Sequence, residues 1–388
     1  MRVLFTSCNG LGHTAPLVAL ARAFQARGDD VLWATDRNGC GWLQDAGIPT
    51  ATAGLDEADA LKRFAEFHAR LGSLPAERRP DEIFPWLFGQ TLPGPMLDDL
   101  LPLADRFGPA MVISDSGEFA GPLLAALHGI PAITHALGPL VPEARIAAAA
   151  DRLEPLWRSH HVTPQPYGGR YTHCYVDIYP ASLQSQVRPH VGRTWPLRPV
   201  SPAVRVGEPS PTWVEDGTTL PLVYVTFGTV YNRPDILADV VRAVASLPVR
   251  VVATVGPHSE ANVLGQLPSN VHVARYIPQA TVFAARCAVV VSHGGSGTFL
   301  GALGAGIPQL LLPQGADQFL NARACRESGV GITLDPADAT HQAIVAATSA
   351  LLSEPRYREA AARVRREIAG MPGPVDVAEK LATVFGEA

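Results

Sequence analysis

The stretch from Ala288 to Ala324 reads AVVVSHGGSGTFLGALGAGIPQLLLPQGADQFLNARA, and its reading decides the fold. Val289 to Val291 is a short β-branched run of the length expected for a buried strand. It stops at Ser292-His293-Gly294-Gly295-Ser296-Gly297, and a helical pattern begins at Thr298. The order is strand, glycine-rich loop, helix. Such a loop lets backbone N–H groups close on an anion, and the helix N-terminus adds about half a positive charge. Glycines alone carry little weight, because many α/β loops hold them for steric reasons. His293 at the strand end and the later pair Asp317-Gln318 strengthen the reading. The bland alternative is a tight corner with a histidine that merely caps it.

Outward from this stretch the same grammar recurs. Leu222–Phe227, Val249–Val255 and Val271–Ala274 read as strands before it, with Asn232 capping a helix that begins at Pro234. An arginine-rich amphipathic helix follows at Glu354–Ile368, and a last helix at Val375–Phe385. The N-terminal half opens as strand (residues 2–7), loop (Cys8–His13), helix (Ala15–Arg27) and strand (Asp30–Thr35), which is a βαβ unit of a parallel sheet. Ala110–Ser114 and Ala132–His135 read as further strands, and Val176–Tyr179 as the last of that half. Gly10-Leu11-Gly12 is an incomplete G-x-G-x-x-G, so a dinucleotide site is poorly supported. The pattern loosens between Glu57 and Leu101 and between Pro139 and Tyr175, and Pro189–Pro221 carries the inter-domain linker near 200–218.

Composition narrows the function. The 388 residues suit two domains, and 47% hydrophobic against 17% charged residues supports an ample core. A net charge of -5 argues against nucleic-acid binding. The five cysteines are scattered without C-x-x-C spacing, which reads as buried thiols rather than a zinc site or disulfide framework. Neither a signal peptide nor an apolar run of bilayer length appears, so the expectation is a cytoplasmic protein without stable membrane insertion. Lys62 and Lys380 are the only lysines, which leaves little room for a P-loop or Schiff-base lysine.

The ordered set His293-x-Gly295-x-Gly297-Thr298, Gly306-Ile307-Pro308, Pro313, Asp317-Gln318 and Asn321-Ala322 resembles the donor-binding signature of family 1 glycosyltransferases. It is closer to the bacterial branch that decorates antibiotics and other natural products than to the plant enzymes. The resemblance implies the α/β GT-B architecture, two Rossmann-like domains facing each other across a cleft. Residues 1–205 would take the acceptor, residues 219–373 the nucleotide sugar, and 374–388 would form a helix crossing back to the first domain.

The same resemblance assigns roles. His293 and Thr298, with backbone N–H groups at Gly295, Ser296 and Gly297, would contact the diphosphate, and Thr229 of Thr226-Phe227-Gly228-Thr229 would face it from the other side. Tyr276 and Ile277 of Tyr276-Ile277-Pro278-Gln279 would hold the nucleobase. Plant members carry tryptophan where this chain has Tyr276, so a thymidine diphosphate (TDP) donor fits at least as well as a uridine one. Asp317 and Gln318 would bind sugar hydroxyls, Asp317 also serving as N-cap of the helix Gln318–Arg326. His13, in Gly12-His13-Thr14-Ala15-Pro16, would be the base, and Asp115 at a strand end would orient it. Phe64, Phe84, Trp86 and His135 are candidates for the acceptor site, the aromatic ones having core residues as their alternative reading. No Asp-x-Asp pair sits near either loop, so metal-independent chemistry is expected, with the nucleotide sugar as co-substrate and no other cofactor.

The expectation is therefore an inverting glycosyltransferase moving a sugar from a TDP- or UDP-sugar to a hydroxyl of an apolar natural product. Transfer to carbon of an aromatic polyketide, transfer to a lipid-linked acceptor, and a non-catalytic activator of the same fold stay open, as does a homodimer.

Overall fold

Parallel strands need crossovers, and the alternation of short apolar runs with longer amphipathic segments supplies them. The computed structural model describes residues 1–56, 58–59, 62–63, 65, 67, 71, 74–75, 77–185, 188–200, 219–228, 234–256 and 259–386. Of the expected linker, residues 201–218 lie outside the described residues, as do Phe64, Thr229 and Asn232. The chain divides into two compact units. One comprises Met1–Tyr179, Gln186–Arg198 and Met371–Ala388, the other Pro180–Ser185 and Pro199–Gly370.

The first unit holds seven strands: β1 (Arg2–Thr6), β2 (Asp30–Thr35), β3 (Thr50–Thr52), β4 (Met111–Asp115), β5 (Ala132–His135), β6 (Cys174–Asp177) and β7 (Thr194–Pro196). Their order is β3-β2-β1-β4-β5-β6-β7, and every pairing is parallel. Strand order reverses between β1 and β4, where Thr6 lies in register with Ser114. The crevice beyond such a reversal, at the carboxyl ends of the strands, is where open parallel sheets bind ligands. The C-terminal helix Pro374–Phe385 belongs to this unit and packs on the helix Leu11–Ala26.

Several local expectations need correction. The first helix begins at Leu11, not Ala15, because Gly10 with a φ of 98° caps it, so His13 stands in a helical turn rather than a loop. The segment 139–175 is not irregular throughout: Glu143–Ser159 is a helix burying Ile146, Ala149, Leu153 and Trp157. Its alanines and Pro155 mask the helical spacing. Within 57–101 stand the helices Arg79–Phe84 and Pro93–Phe107, joined by a π-helical turn at Pro85–Thr91. That turn packs on Glu143–Ser159 so closely that a Cβ at Gly89 would fall 2.7 Å from Ala149 Cα. β7, inside the stretch read as linker-like, is too short to show a period, yet it pairs with β6 and buries Trp195.

The second unit repeats the scheme with β8 (Leu222–Thr226), β9 (Arg250–Thr254), β10 (Val271–Ala274), β11 (Cys287–Ser292), β12 (Gln309–Leu311) and β13 (Gly331–Thr333). The order is β10-β9-β8-β11-β12-β13, again all parallel, with the reversal between β8 and β11. Val289 and Val291 pack into one apolar cluster and Val290 into the other, so β11 is buried on both faces. Each such side chain contributes about 1.5–3 kcal/mol. Among the described residues no helix is long and apolar enough to cross a membrane.

Candidate functional site

In the first unit the reversal between β1 and β4 places Asp115 beside His13. The Asp115 carboxylate is fully buried and meets three N–H groups. Oδ2 accepts from Cys8 N at 2.7 Å, and Oδ1 accepts from Gly117 N and lies 3.1 Å from His13 Nδ1. Burial pushes this carboxyl up. The His13 charge, the His13 hydrogen bond and the Gly117 and Cys8 N–H groups outweigh it and hold Asp115 below its ordinary value. An ionised Asp115 fixes the ring tautomer with hydrogen on Nδ1, which leaves the lone pair on Nε2. The His13 side chain is 25% exposed, so the ring reaches the surface while its partner does not.

Glycine at 117 is a steric requirement: a Cβ there would lie 2.9 Å from His13 Cε1 and 3.1 Å from Phe88 Cε1. Phe88, on the π-helical turn, is the aromatic neighbour of His13, with ring centroids 5.6 Å apart. Phe84 touches Phe88 and, edge-on, Phe119, so it stands one layer back. Trp86 stacks on Phe67 at 4.1 Å. Phe64 lies outside the described residues. A cavity of about 30 Å³ beside the dyad is lined by Cys8, Leu55, Met96, Gly117, Glu118 and Phe119.

His135 is in register with Asp115 on the neighbouring strand, but it is fully buried, and its Nδ1 lies 2.6 Å from Ala136 O. Burial lowers it to about 4, so it is neutral. It has no exposed surface with which to meet an acceptor. Glu118, which the sequence did not single out, is buried beside it all. It accepts from Thr6 Oγ1 at 2.6 Å and from Ala120 and Gly121 N–H, serving the first turn of the helix Ala120–His128. Cys8, His13 and Asp115 also form the one group of metal-ligating side chains found among the described residues. Both oxygens of Asp115 are already engaged by N–H donors, so this cluster is a hydrogen-bonded dyad first.

In the second unit the corresponding reversal places His293 beyond β11. Its ring sits between two glycines. A Cβ at Gly228 would fall 2.8 Å from His293 Cε1, and one at Gly295 2.7 Å from Nε2. Gly228 also has a φ of 70°, which disfavours any side chain. Burial lowers His293 to about 4 despite the Asp317 carboxylate and the Thr226 carbonyl, so this imidazole is neutral.

The helix Ser296–Ala305 starts two residues earlier than the expected Thr298, with Gly295 as N-cap. The reason is tertiary: Asp317 Oδ2 accepts from Ser296 N at 3.2 Å and from the Ser296 hydroxyl. Asp317 stands at the N-cap position of Gln318–Ser328, as expected, but its side chain makes no capping bond there and serves the helix Ser296–Ala305 instead. Gly297 and Thr298 lie in the first turn, where N–H groups lack intrahelical acceptors. Thr298 Oγ1 accepts from Gln279 Nε2 at 2.8 Å, which leaves its own hydroxyl hydrogen to donate elsewhere.

Gln318 is buried, and its Oε1 accepts from Gln314 N at 2.7 Å and Gly315 N at 3.0 Å, clamping the loop before it. Fully buried Asn321 donates to Gly294 O at 2.8 Å, tying that loop to the glycine-rich one. Ile277 is buried while Tyr276 is 57% exposed, the exposure a base-stacking ring needs. Thr229 lies outside the described residues.

The family whose description is "Erythromycin biosynthesis protein CIII-like, C-terminal domain" matches residues 238–384. The chain is 33% identical to the elloramycin glycosyltransferase of Streptomyces olivaceus, across 100% of this chain and 98% of that one. It is also 33% identical to the L-demethylnoviosyl transferase of Streptomyces niveus, across 98% of each. Among solved structures, a spinosyn rhamnosyltransferase superposes with a TM-score of 0.82 at 28% identity, covering 98% of this chain and 100% of that one. The same rhamnosyltransferase is known in complex with thymidine diphosphate and with spinosyn aglycone.

Proposed function

This chain belongs to the family 1 glycosyltransferases of the bacterial natural-product branch, with the GT-B fold, and from that premise we propose the reaction it carries out. The chain transfers a sugar from a TDP-sugar to a hydroxyl of an apolar small-molecule natural product, with inversion and without a metal ion. The observation that carries the reading is the His13–Asp115 pair at the strand-order reversal, 3.1 Å apart.

The acceptor hydroxyl gives its proton to His13 Nε2 as its oxygen attacks the anomeric carbon, and Asp115 stabilises the imidazolium. Asp115 is fully buried and saturated with N–H donors, so it is a poor covalent nucleophile. One base, with the neighbouring Glu118 carboxylate buried and engaged by Thr6, Ala120 and Gly121, favours direct displacement, hence inversion. Phe88, Phe84 and Phe119 supply an apolar wall beside the base. At the other end of the reaction, charge grows on the departing diphosphate. The first-turn N–H groups of Gly297 and Thr298, the Thr298 hydroxyl and neutral His293 would take it up, with Gly295 and Gly228 admitting the ring and Ser296 already bound to Asp317. This is what supports metal independence. Tyr276 would stack on thymine, Ile277 would border it, and Asp317 would face the sugar; Gln318, expected beside it, is buried and instead holds the loop that precedes it.

The test is a panel of polycyclic phenols and macrolactones with TDP-sugars, in the presence of EDTA. Product mass should rise by one sugar, and the anomeric coupling in its NMR spectrum should be opposite to the donor's. Retention of configuration, or activity lost to EDTA and restored by magnesium, defeats the mechanism.

A further inference from the structure

Arg170 is the one arginine with no exposed surface among the described residues, and it has no ion pair among them. Three successive left-handed residues turn the chain inward ahead of it: Tyr167 (φ 54°), Gly168 (φ 65°) and Gly169 (φ 79°). Tyr167 has a Cβ in a region that favours glycine, so the turn is held against a local cost. A Cβ at Gly168 would meet Phe119 Cδ1 at 2.9 Å, and the Arg170 carbonyl is anchored by Thr134 Oγ1 at 2.6 Å.

The guanidinium thus delivered lies 4.6 Å over the Phe119 ring and 5.8 Å from that of Tyr171. Its Nη1 donates to the Ser116 carbonyl; the Tyr171 hydroxyl stands close enough to feel the charge, but Nε and Nη2 make no hydrogen bond of ordinary geometry among the described residues. A buried cation left this short of acceptors is expensive, and a neutral side chain would fill the space more cheaply.

What the guanidinium holds is the peptide between Ser116 and Gly117. The carbonyl end of that peptide accepts from Arg170, and its N–H end donates to Asp115 Oδ1, the oxygen that faces His13 Nδ1. A carbonyl drawn by a cation makes its own amide a stronger donor, because bonds in a chain polarise one another. Gly117 has no side chain to obstruct this, as the contacts a Cβ would make there require.

We propose that Arg170 is a positioning residue for sugar transfer: through the Ser116–Gly117 peptide it fixes the Asp115 carboxylate and the His13 ring, and its buried charge favours the neutral, proton-accepting form of His13. The proposal rests on His13 being the base. The ionisable groups around the pair are Asp115 at the end of β4, Glu118 from the loop after it, His135 at the end of β5, Cys8 from the loop after β1, Asp36 directly after β2, and Tyr171 beside Arg170.

Arg170→Met removes the charge at similar length, and Arg170→Lys keeps the charge but not the fork. The Met variant lowers kcat roughly ten- to hundredfold with donor KM within about twofold, since it loosens the base and not the donor site. Losing a cation near the imidazole stabilises its protonated form, so the acid limb of the kcat/KM profile moves to higher pH. The Lys variant loses part of kcat and leaves the limb in place. A plain loss of folded protein would lower the amplitude of the profile without moving it. If the Met variant does not fold, the His13 ring signal in labelled Arg170→Lys protein reads the geometry: its chemical shift should move while its titration midpoint stays, and a shift identical to that of the unaltered protein overturns the proposal. So does a folded Met variant with an unmoved limb and kcat within about twofold. His13→Ala is the control. If it retains turnover, the reading of the base fails as well; if it loses turnover while the Arg170 variants do not, only the Arg170 inference fails.

Discussion

The two sheets reverse strand order in the same way, yet the two crevices hold opposite charge states. Beyond β4 a buried carboxylate is kept ionised, because Cys8 N, Gly117 N and His13 all point hydrogens at it. Beyond β11 a buried imidazole is kept neutral, because glycines flank it and burial outweighs the Asp317 carboxylate. Topology builds the crevice; the donors and acceptors at its rim decide what chemistry it supports. In the proposed reaction the first crevice takes up a proton and the second receives negative charge on amides.

This contrast can be broken by experiment. Asp115→Asn should have the largest effect, lowering transfer about 10²- to 10⁴-fold by presenting the wrong hydrogen-bonding group to His13. Stabilisation of the protein by TDP, read as the rise in Tm, should be unchanged. A variant that loses TDP stabilisation as well would show that the two crevices do not divide the labour.

The neutral histidines make the next prediction. His135 and His293 are both lowered to about 4 when folded, against 6.5 for the ordinary group. The unfolded chain therefore binds protons first as pH falls, and stability present above pH 6.5 drains away between 6.5 and about 4. Each histidine withdraws up to roughly 3 kcal/mol over that window. Replacing His135 with leucine should flatten the fall of Tm across it. Equal slopes for the two proteins would mean that burial does not hold this ring neutral.

Gly228→Ala comes third. The φ of 70° and the 2.8 Å approach of a new Cβ to His293 should cost about 1–3 kcal/mol, visible in urea unfolding, and weaken TDP more than acceptor. Unaltered stability would mean that the turn relaxes freely. The smallest effect is Thr298→Val, which removes one donor beside the first turn. It should weaken TDP about tenfold by calorimetry and leave the acid limb of the rate profile where it was. A shift of that limb would mean that the donor loop, and not only the dyad, sets the pH response.

Much of this was readable along the chain. The run Val289–Val291, the glycines and His293 announced a buried strand and the tight turn into a helix from local sequence alone, since β-branched content and backbone freedom are properties of neighbouring residues. His13 and Asp115 were named through the family resemblance, and their places near strand ends agree with where parallel sheets receive ligands. Other features were not readable. The helix Glu143–Ser159 was concealed by its alanines and Pro155, and β7 by its brevity. Phe88 could not be chosen over Trp86, because a π-helical turn changes which aromatic points at His13. Asp317 was read as the cap of the helix it precedes, when its carboxylate serves the helix that starts at Ser296.

By itself the sequence determined the parallel α/β grammar, the two glycine-rich turns and the residue types able to carry a proton or meet a phosphate. Only the tertiary structure decided their states: that Asp115 is charged, that His135 and His293 are neutral, and that Arg170 stands behind the dyad. The reason is physical. A strand or turn is set by residues adjacent in the chain, whereas the charge on a buried group is set by whichever N–H groups, carbonyls and rings arrive from distant segments to replace water.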